Sequence, residues 1–588
     1  MQRRILLLVA AAAAVLGLAA SAGAMTMSSG SATRVLAATP FSLKDVPSSP
    51  AVRAAHSTMN FAQEQQIDGF NLLDANTTQT WAVIVGGTPA IRGDYIIDNK
   101  GNYHLDLAKK VVATKKSLTI YIRPDAYWYW QGHAKAPVTA ADYVYTYQQI
   151  MKPGNDSAST TGYANIKSFK ILNKKTVRFF WKPAFADQRD LFGFILPKAA
   201  FSGISGGFNA AWTNCICGSD GNPVSDGPYY LSKFSYGTGA QLKANPVWYG
   251  TKPHIKTINW IVYTQQNSEE QAYNAHEVDA MWPGAATTLA QYIHQSGTKF
   301  SSVPGYGQEH LDINTSGKSL DNQYNVNPLL KHAWMRQAIM EGLNRKAIIR
   351  AIFTGLPSPP VLNNPTFFPV GSDKPWATGK YAFQAKFNFN AKKAIATLKK
   401  HGCTGGPSKP DPNTNAVWTC GGVKASFGYF TTTRQARITT SQIVQAQLKA
   451  IGIEITPHIQ SAGTFFGTTL IQQDYDLGEY AWSGSPDPSP FDGIYQCVNT
   501  AKNLGGQNWK GYCNHKVDKL MNKGDSDLSG TKHRYGLYEK AAKIISNQVP
   551  VIAYYGPPSI LINRSTFKLG PANNSTSSTI TWNIEKWK

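Results

Sequence analysis

The most constraining stretch of this 588-residue chain is its middle, from Asn327 to Gly355. Asn327 is a good N-cap and Pro328 suits a first helical position. Apolar residues then recur at 330, 334, 338, 339, 343, 347, 348 and 352, close to a 3.6-residue period. Gly355, with Pro357 behind it, ends the pattern. The reading is a buried amphipathic helix, which follows His310-Leu-Asp-Ile-Asn314. Periodicity alone fits a core helix of any large α/β protein, so the order of the neighbouring motifs has to decide further.

The length predicts more than one domain. Basic residues outnumber acidic ones 58 to 35, a formal charge of +23. They are dispersed as pairs such as Lys109-Lys110, Lys174-Lys175 and Lys399-Lys400, with no basic run, which argues against nucleic acid as a partner. A solvated basic surface, or attraction to an anionic cell surface, fits better.

The N-terminus reads as an export signal, expected over 1–24. Arg3-Arg4 carry the charge, Ile5 to Ala20 are apolar, and Ala22-Gly-Ala24 offer small residues for cleavage. An uncleaved anchor helix is the alternative. A Ser/Ala/Thr-rich segment follows, and 25–50 is expected to be a flexible tether. Six cysteines agree with an oxidising compartment. Fifteen pairings are possible; local pairing, Cys403–Cys420 and Cys497–Cys513, is expected, whereas one intervening residue would make a Cys215–Cys217 disulfide strained. Zinc-like cysteine spacing is lacking, so no metal and no cofactor is expected.

Beyond the helix, a series of segments follows in order. It includes Thr119-Ile-Tyr-Ile-Arg-Pro-Asp125, Trp130-Gln-Gly132, Pro137-Val-Thr-Ala-Ala-Asp142, Ile195-Leu-Pro197 and Pro223-Val-Ser-Asp-Gly227-Pro-Tyr. Asn245-Pro-Val-Trp-Tyr-Gly250, His276-Glu-Val-Asp279 and Tyr475-Asp-Leu-Gly-Glu479-Tyr-Ala-Trp482-Ser-Gly-Ser485-Pro-Asp487-Pro complete it. About ten motifs over the chain from Asp45 onward resemble, in the correct order, the extracellular solute-binding proteins of family 5, the peptide and nickel receptors of ABC importers. Thr139 with Asp142 also forms a capping-box pattern independently of any family.

The resemblance implies an α/β, two-lobed periplasmic-binding-protein-like fold with two hinge crossings, near Leu311–Asn314 and Val549–Tyr555. Lobe I would comprise 51–311 and the return 551–588, with an extra subdomain over about 95–190. Lobe II would comprise 312–550. It implies a monomeric, exported receptor that captures a small solute, a peptide, and delivers it to ABC permease subunits in the membrane. No catalytic residue is expected. Lipid anchoring through a cysteine behind the signal is not expected, because the first cysteine is Cys215.

In peptide-binding relatives a carboxylate in the loop after Trp-x-Gly meets the ligand's ammonium. Here the residue after Trp482-Ser-Gly484 is Ser485, and a hydroxyl does not replace that charge. Asp487 takes the role if the loop bends differently; otherwise it is a turn residue before Pro488. Glu479 stands where some receptors use Arg for the ligand carboxylate; it favours a cation there or pairs with a Lys or Arg. Trp482, Phe491, Trp128 and Trp130 are expected to supply aromatic cleft walls, Trp128 as one of many aromatics that can also be core. The ligand-binding residues expected from the sequence are therefore Trp482, Ser485, Asp487, Glu479, Phe491 and Trp130. A non-peptide solute (oligosaccharide, metal chelate or cationic metabolite) is the alternative ligand. A secreted hydrolase is the rival class, resting on Gly203-Ile-Ser205-Gly-Gly207, which fits G-x-S-x-G but sits among loop residues.

Overall fold

A computed structural model describes residues 36–588 apart from 48, 56, 75–79, 156, 202–203, 205–210, 304–306, 358, 361, 363–366, 368–382, 499–505 and 572–577. The expected signal segment and Ser205 lie outside the described residues.

Two sheets organise the chain into two lobes. The seven-stranded sheet has Thr58–Gln63 at its centre, parallel to Thr257–Val262 and Ala280–Met281. All six residues of the central strand are buried, as expected for a strand covered on both faces. Phe61 lies 4.5 Å from Trp260 and 6.2 Å from Trp587, so the C-terminal segment closes over the first strand. Ser559–Arg564 enters this sheet between Ala280–Met281 and Thr298–Val303. The five-stranded sheet runs Glu454–Gln460, Ser426–Thr432, Leu477–Ser483, Gly307–Ile313, Val551–Tyr555.

Sheet membership thus changes between Val303 and Gly307 and again between Tyr555 and Ser559. The segments expected as crossings, Leu311–Asn314 and Val549–Tyr555, largely belong to strands of the second sheet. A further four-stranded sheet, Ala108–Ala113, Ser117–Ile122, Thr176–Trp181 and Ile166–Asn173, shares one apolar core with the seven-stranded sheet.

Local signals act as their chemistry requires. The Thr139–Asp142 capping box opens the helix Ala140–Ile150, with the Thr139 amide donating to Asp142 at 2.7 Å. The Asn327 side chain accepts from the Leu329 amide at 3.0 Å. The expected continuous helix is in fact three pieces: a 3-10 turn Pro328–Lys331, then Ala333–Gly342, then Arg345–Phe353. The break falls at Asn344, which caps the last piece through the Ala347 amide, because a cap residue offers the backbone an alternative to continuing.

Residues 36–41, expected to be tether, are docked instead. Leu36, Ala38 and Phe41 are buried, and Ala37 and Thr39 bridge to Asn214 and Lys233. Alternate apolar side chains give this short segment a face to bury. The cysteines pair as Cys215–Cys217, Cys403–Cys420 and Cys497–Cys513.

Candidate functional site

Between the lobes lies a cavity of about 360 Å³, at the lower end of the ~300–1,000 Å³ of small-ligand sites. From the second lobe, Tyr480 to Ser483, Ser485, Phe491 and Trp509 face it. Leu72, Tyr95, Tyr103, Tyr163, Asp190 and Phe194 face it from the first. The lobes touch around it: the Ala186 amide donates to the Asp525 carbonyl at 2.6 Å, and Arg434 pairs with Glu64.

Strand alternation sets the second-lobe wall. Tyr480 and Trp482 project together, their rings 5.3 Å apart, and Trp482 stacks on Trp509 at 5.2 Å. Behind them, the Tyr480 hydroxyl donates to Asp312 at 2.5 Å, and the fully buried Lys510 lies 3.5 Å from the same carboxylate. Burial pulls the Lys510 ammonium down, and Asp312 opposes that. This buried pair fixes the tyrosine that forms the cavity wall.

The expected residues divide. Trp482, Ser485 and Phe491 line the cavity. Glu479 does not: its carboxylate is fully buried on the other face of the strand, accepting from the Tyr429 hydroxyl at 2.8 Å. Burial first, then neighbouring Glu309, pushes it well above the usual carboxylate range. The reason is the two-residue period, which turns 479 away when 480 and 482 face the ligand space. Glu309 takes the nearby cation, Arg437, at 2.7 Å.

Asp487 is also committed elsewhere. Both its oxygens are clamped by Arg534, and it accepts from the Ser489 amide at 3.0 Å. Trp130 lies away from the cavity; its indole donates to Asp220 at 2.9 Å and its ring stacks on His133 at 4.0 Å. Trp128 is core.

Sequence reasoning missed the groups opposite Ser485. The Ser485 hydroxyl donates across the cleft to Asp190 at 3.1 Å, and Tyr103 donates to the other oxygen of Asp190. Asp187, three residues earlier, is buried beside it. Burial raises both carboxyls, Asp187 well above its ordinary range with Asp190 and Asp487 adding to the effect. The signal in the sequence was two acids three residues apart in a chain poor in acids.

Among the described residues, one grouping has metal-ligand proximity, Cys497, Cys513 and His515. Its two sulfurs are joined in a disulfide and offer no thiolate. No described helix is long and apolar enough to cross a membrane.

Comparison with known proteins agrees with this architecture. The chain is 25% identical to the oligopeptide-binding protein OppA of Bacillus subtilis over 490 residues, 78% of this chain and 80% of that protein. It is 25% identical to AppA of the same organism over 381 residues, 62% of each chain, so less than two thirds of that relative is covered. Among solved structures, AppA from Bacillus subtilis in complex with a nonapeptide has a TM-score of 0.75 at 21% identity, covering 90% of this chain and 98% of that one. NikZ from Campylobacter jejuni in complex with Ni(L-His) has a TM-score of 0.74 at 19% identity, covering 91% and 99%. At these identities the structures speak for the two-lobed fold alone. Residues 102–503, more than half of the chain, match the bacterial extracellular solute-binding proteins, family 5 (middle region), and the chain belongs to that family.

Proposed function

We propose that this protein is the extracytoplasmic substrate-binding component of an ABC importer. It holds a peptide extended between its lobes and delivers it to permease subunits, with ATP hydrolysis left to other chains and no catalysis here. One observation carries the peptide reading. The ladder between Ser426–Thr432 and Leu477–Ser483 ends at Gly478, yet the strand continues along the cavity through Tyr480, Ala481 and Trp482. An extended ligand laid along that stretch gains main-chain hydrogen bonds as an added strand, while aromatic walls accept varied side chains. Two relatives named for oligopeptides support the same choice. For the lobe limits, sheet membership supports a second lobe of roughly 307–555, against the 312–550 expected from the sequence.

The test is native mass spectrometry of the protein purified without added ligand, followed by identification of whatever is released. Peptides of mixed sequence are the expected outcome. A glycan, a metal chelate or a single non-peptide metabolite would replace this reading with another solute class.

A further inference from the structure

Asp190 lines the cavity with Asp187 buried beside it, and among the described residues no ion pair joins either carboxylate to a cation. Asp187 is 2% exposed, and neither of its carboxylate oxygens has a hydrogen-bond partner among the described residues. Asp190 lines the cavity itself, braced by Tyr103 and by Ser485 from the opposite lobe. Arg534, whose field reaches Asp187, is consumed by its two-pronged contact with Asp487. The guanidinium of Arg189 instead lies over the Tyr103 ring at 4.3 Å. Asp187, Asp190 and Asp487 thus set three carboxylates against two guanidinium groups, Arg534, which grips Asp487, and Arg189, which lies over Tyr103.

Burying unpaired carboxylates is unfavourable, and a fold gains nothing from it. Retaining them at the wall of a ligand cavity marks a group kept for binding. We propose that Asp190, backed by Asp187, is the acceptor for the ligand's cationic group, a primary ammonium, so that the counter-charge sits on the first lobe and faces Ser485. The inference rests on the peptide reading and deepens it. It accounts for the hydroxyl at 485: a carboxylate there would meet Asp190 at hydrogen-bond distance and repel it, whereas Ser485 donates to it.

Binding is then pH-dependent in one direction. The charged and titratable groups facing the pair are Tyr103, Tyr163, Arg189, Asp487 and Arg534. Burial raises both carboxyls, which favours a proton on the pair when the cavity is closed and empty. An ammonium displaces that proton, so affinity falls as pH falls.

The experiment compares a defined mixture of tri- to pentapeptides carrying free amino termini with the same mixture N-acetylated, by native mass spectrometry on wild type, Asp190→Asn and Ser485→Ala. Wild type is expected to prefer free amines by about ten- to a hundredfold, the weight of a hydrogen bond between charged groups. Asp190→Asn should lose that preference without melting lower, and Ser485→Ala should weaken it. If Asp190→Asn does not fold, the acetylation contrast on wild type still decides. A wild type that binds both mixtures equally overturns this inference and leaves the peptide reading standing. A wild type that binds neither overturns the peptide reading, and this inference with it.

Discussion

Asp187→Asn is the sharpest test of whether the buried acid pair is kept against the stability of the fold. The substitution keeps the side chain's shape and removes its charge. Asp187 is buried with no hydrogen-bond partner for either oxygen among the described residues, and its neighbour Asp190 is a second acid. A buried polar group without its partner costs about 1–3 kcal/mol. The asparagine amide donates to Asp190, as a protonated Asp187 would, and so relieves that cost at neutral pH. Because the folded carboxyl is raised above its unfolded value of about 3.9, the wild type is at its best below about pH 4 and loses stability as pH rises through the folded value. Asparagine does not titrate. Melting of the ligand-free proteins between pH 4 and pH 8.5 should therefore start nearly equal and diverge upward, with the variant more stable by about 1–3 kcal/mol at the alkaline end. That corresponds to about 2–4 °C per kcal/mol for a lobe of this size. A variant that melts below wild type across the whole range would refute the reasoning, since Asp187 would then be holding the structure together.

Arg534→Met leaves Asp487 buried and uncompensated, and should destabilise by about 3–5 kcal/mol in urea unfolding, with Asp487→Asn in the same chain restoring much of it. No restoration in the double variant would show that Arg534 acts through packing alone. His276→Gly should raise the melting temperature, because His276 is exposed with φ at 63°, a left-handed conformation that costs a non-glycine residue about 1 kcal/mol. A lower melting temperature would mean the imidazole makes a contact that offsets the backbone strain. Arg434→Ala breaks the pair with Glu64 that joins the lobes at the cleft rim, and should speed peptide release a few-fold, in line with about 0.5–1 kcal/mol for a partly exposed ion pair. Stopped-flow tryptophan fluorescence reads this, and an unchanged release rate would separate the pair from closure.

Much of the scaffold was legible because its signals are local. Asn327, and Thr139 with Asp142, cap by contacts two or three residues away, and Cys403–Cys420 and Cys497–Cys513 close short loops. The aromatic wall was legible through Trp482 and Phe491, which sit in the most recognisable loop of the chain. What failed depended on distant partners. Asp487 looked available because Arg534 is 47 residues away, and Asp190 was invisible because Ser485 is 295 residues away. Glu479 lies away from the cavity for a different reason: alternation fixes which residues share a face, but the sequence does not say which face meets the ligand. Trp130 was chosen by residue type, and its indole turned out to serve Asp220 in the first lobe.

The anomaly at Ser485 has a consequence for how closure is controlled. When the ammonium acceptor sits on the same loop as the peptide-binding strand, one lobe can hold the ligand's charged end alone. Here Asp190 and Ser485 come from opposite lobes, so that end of the site is complete only when the cleft is shut. An empty cleft that shuts brings Asp187 and Asp190 together out of water at a cost, and that burial raises both carboxyls. A cationic ligand removes that cost and gains the charge pairing in the same movement, so its differential affinity for the closed state is larger than its contacts alone supply. Moving a two-state equilibrium from 1:99 to 99:1 takes about 5.5 kcal/mol. One charged hydrogen bond contributes about 1.5–3 kcal/mol, so a shift of that size would also draw on the aromatic surfaces of Trp482, Phe491 and Trp509 that line the cavity. If Asp190 takes the ligand's ammonium, the acids act as a gate on which ligands close the lobes, and the aromatic wall supplies affinity without choosing among side chains.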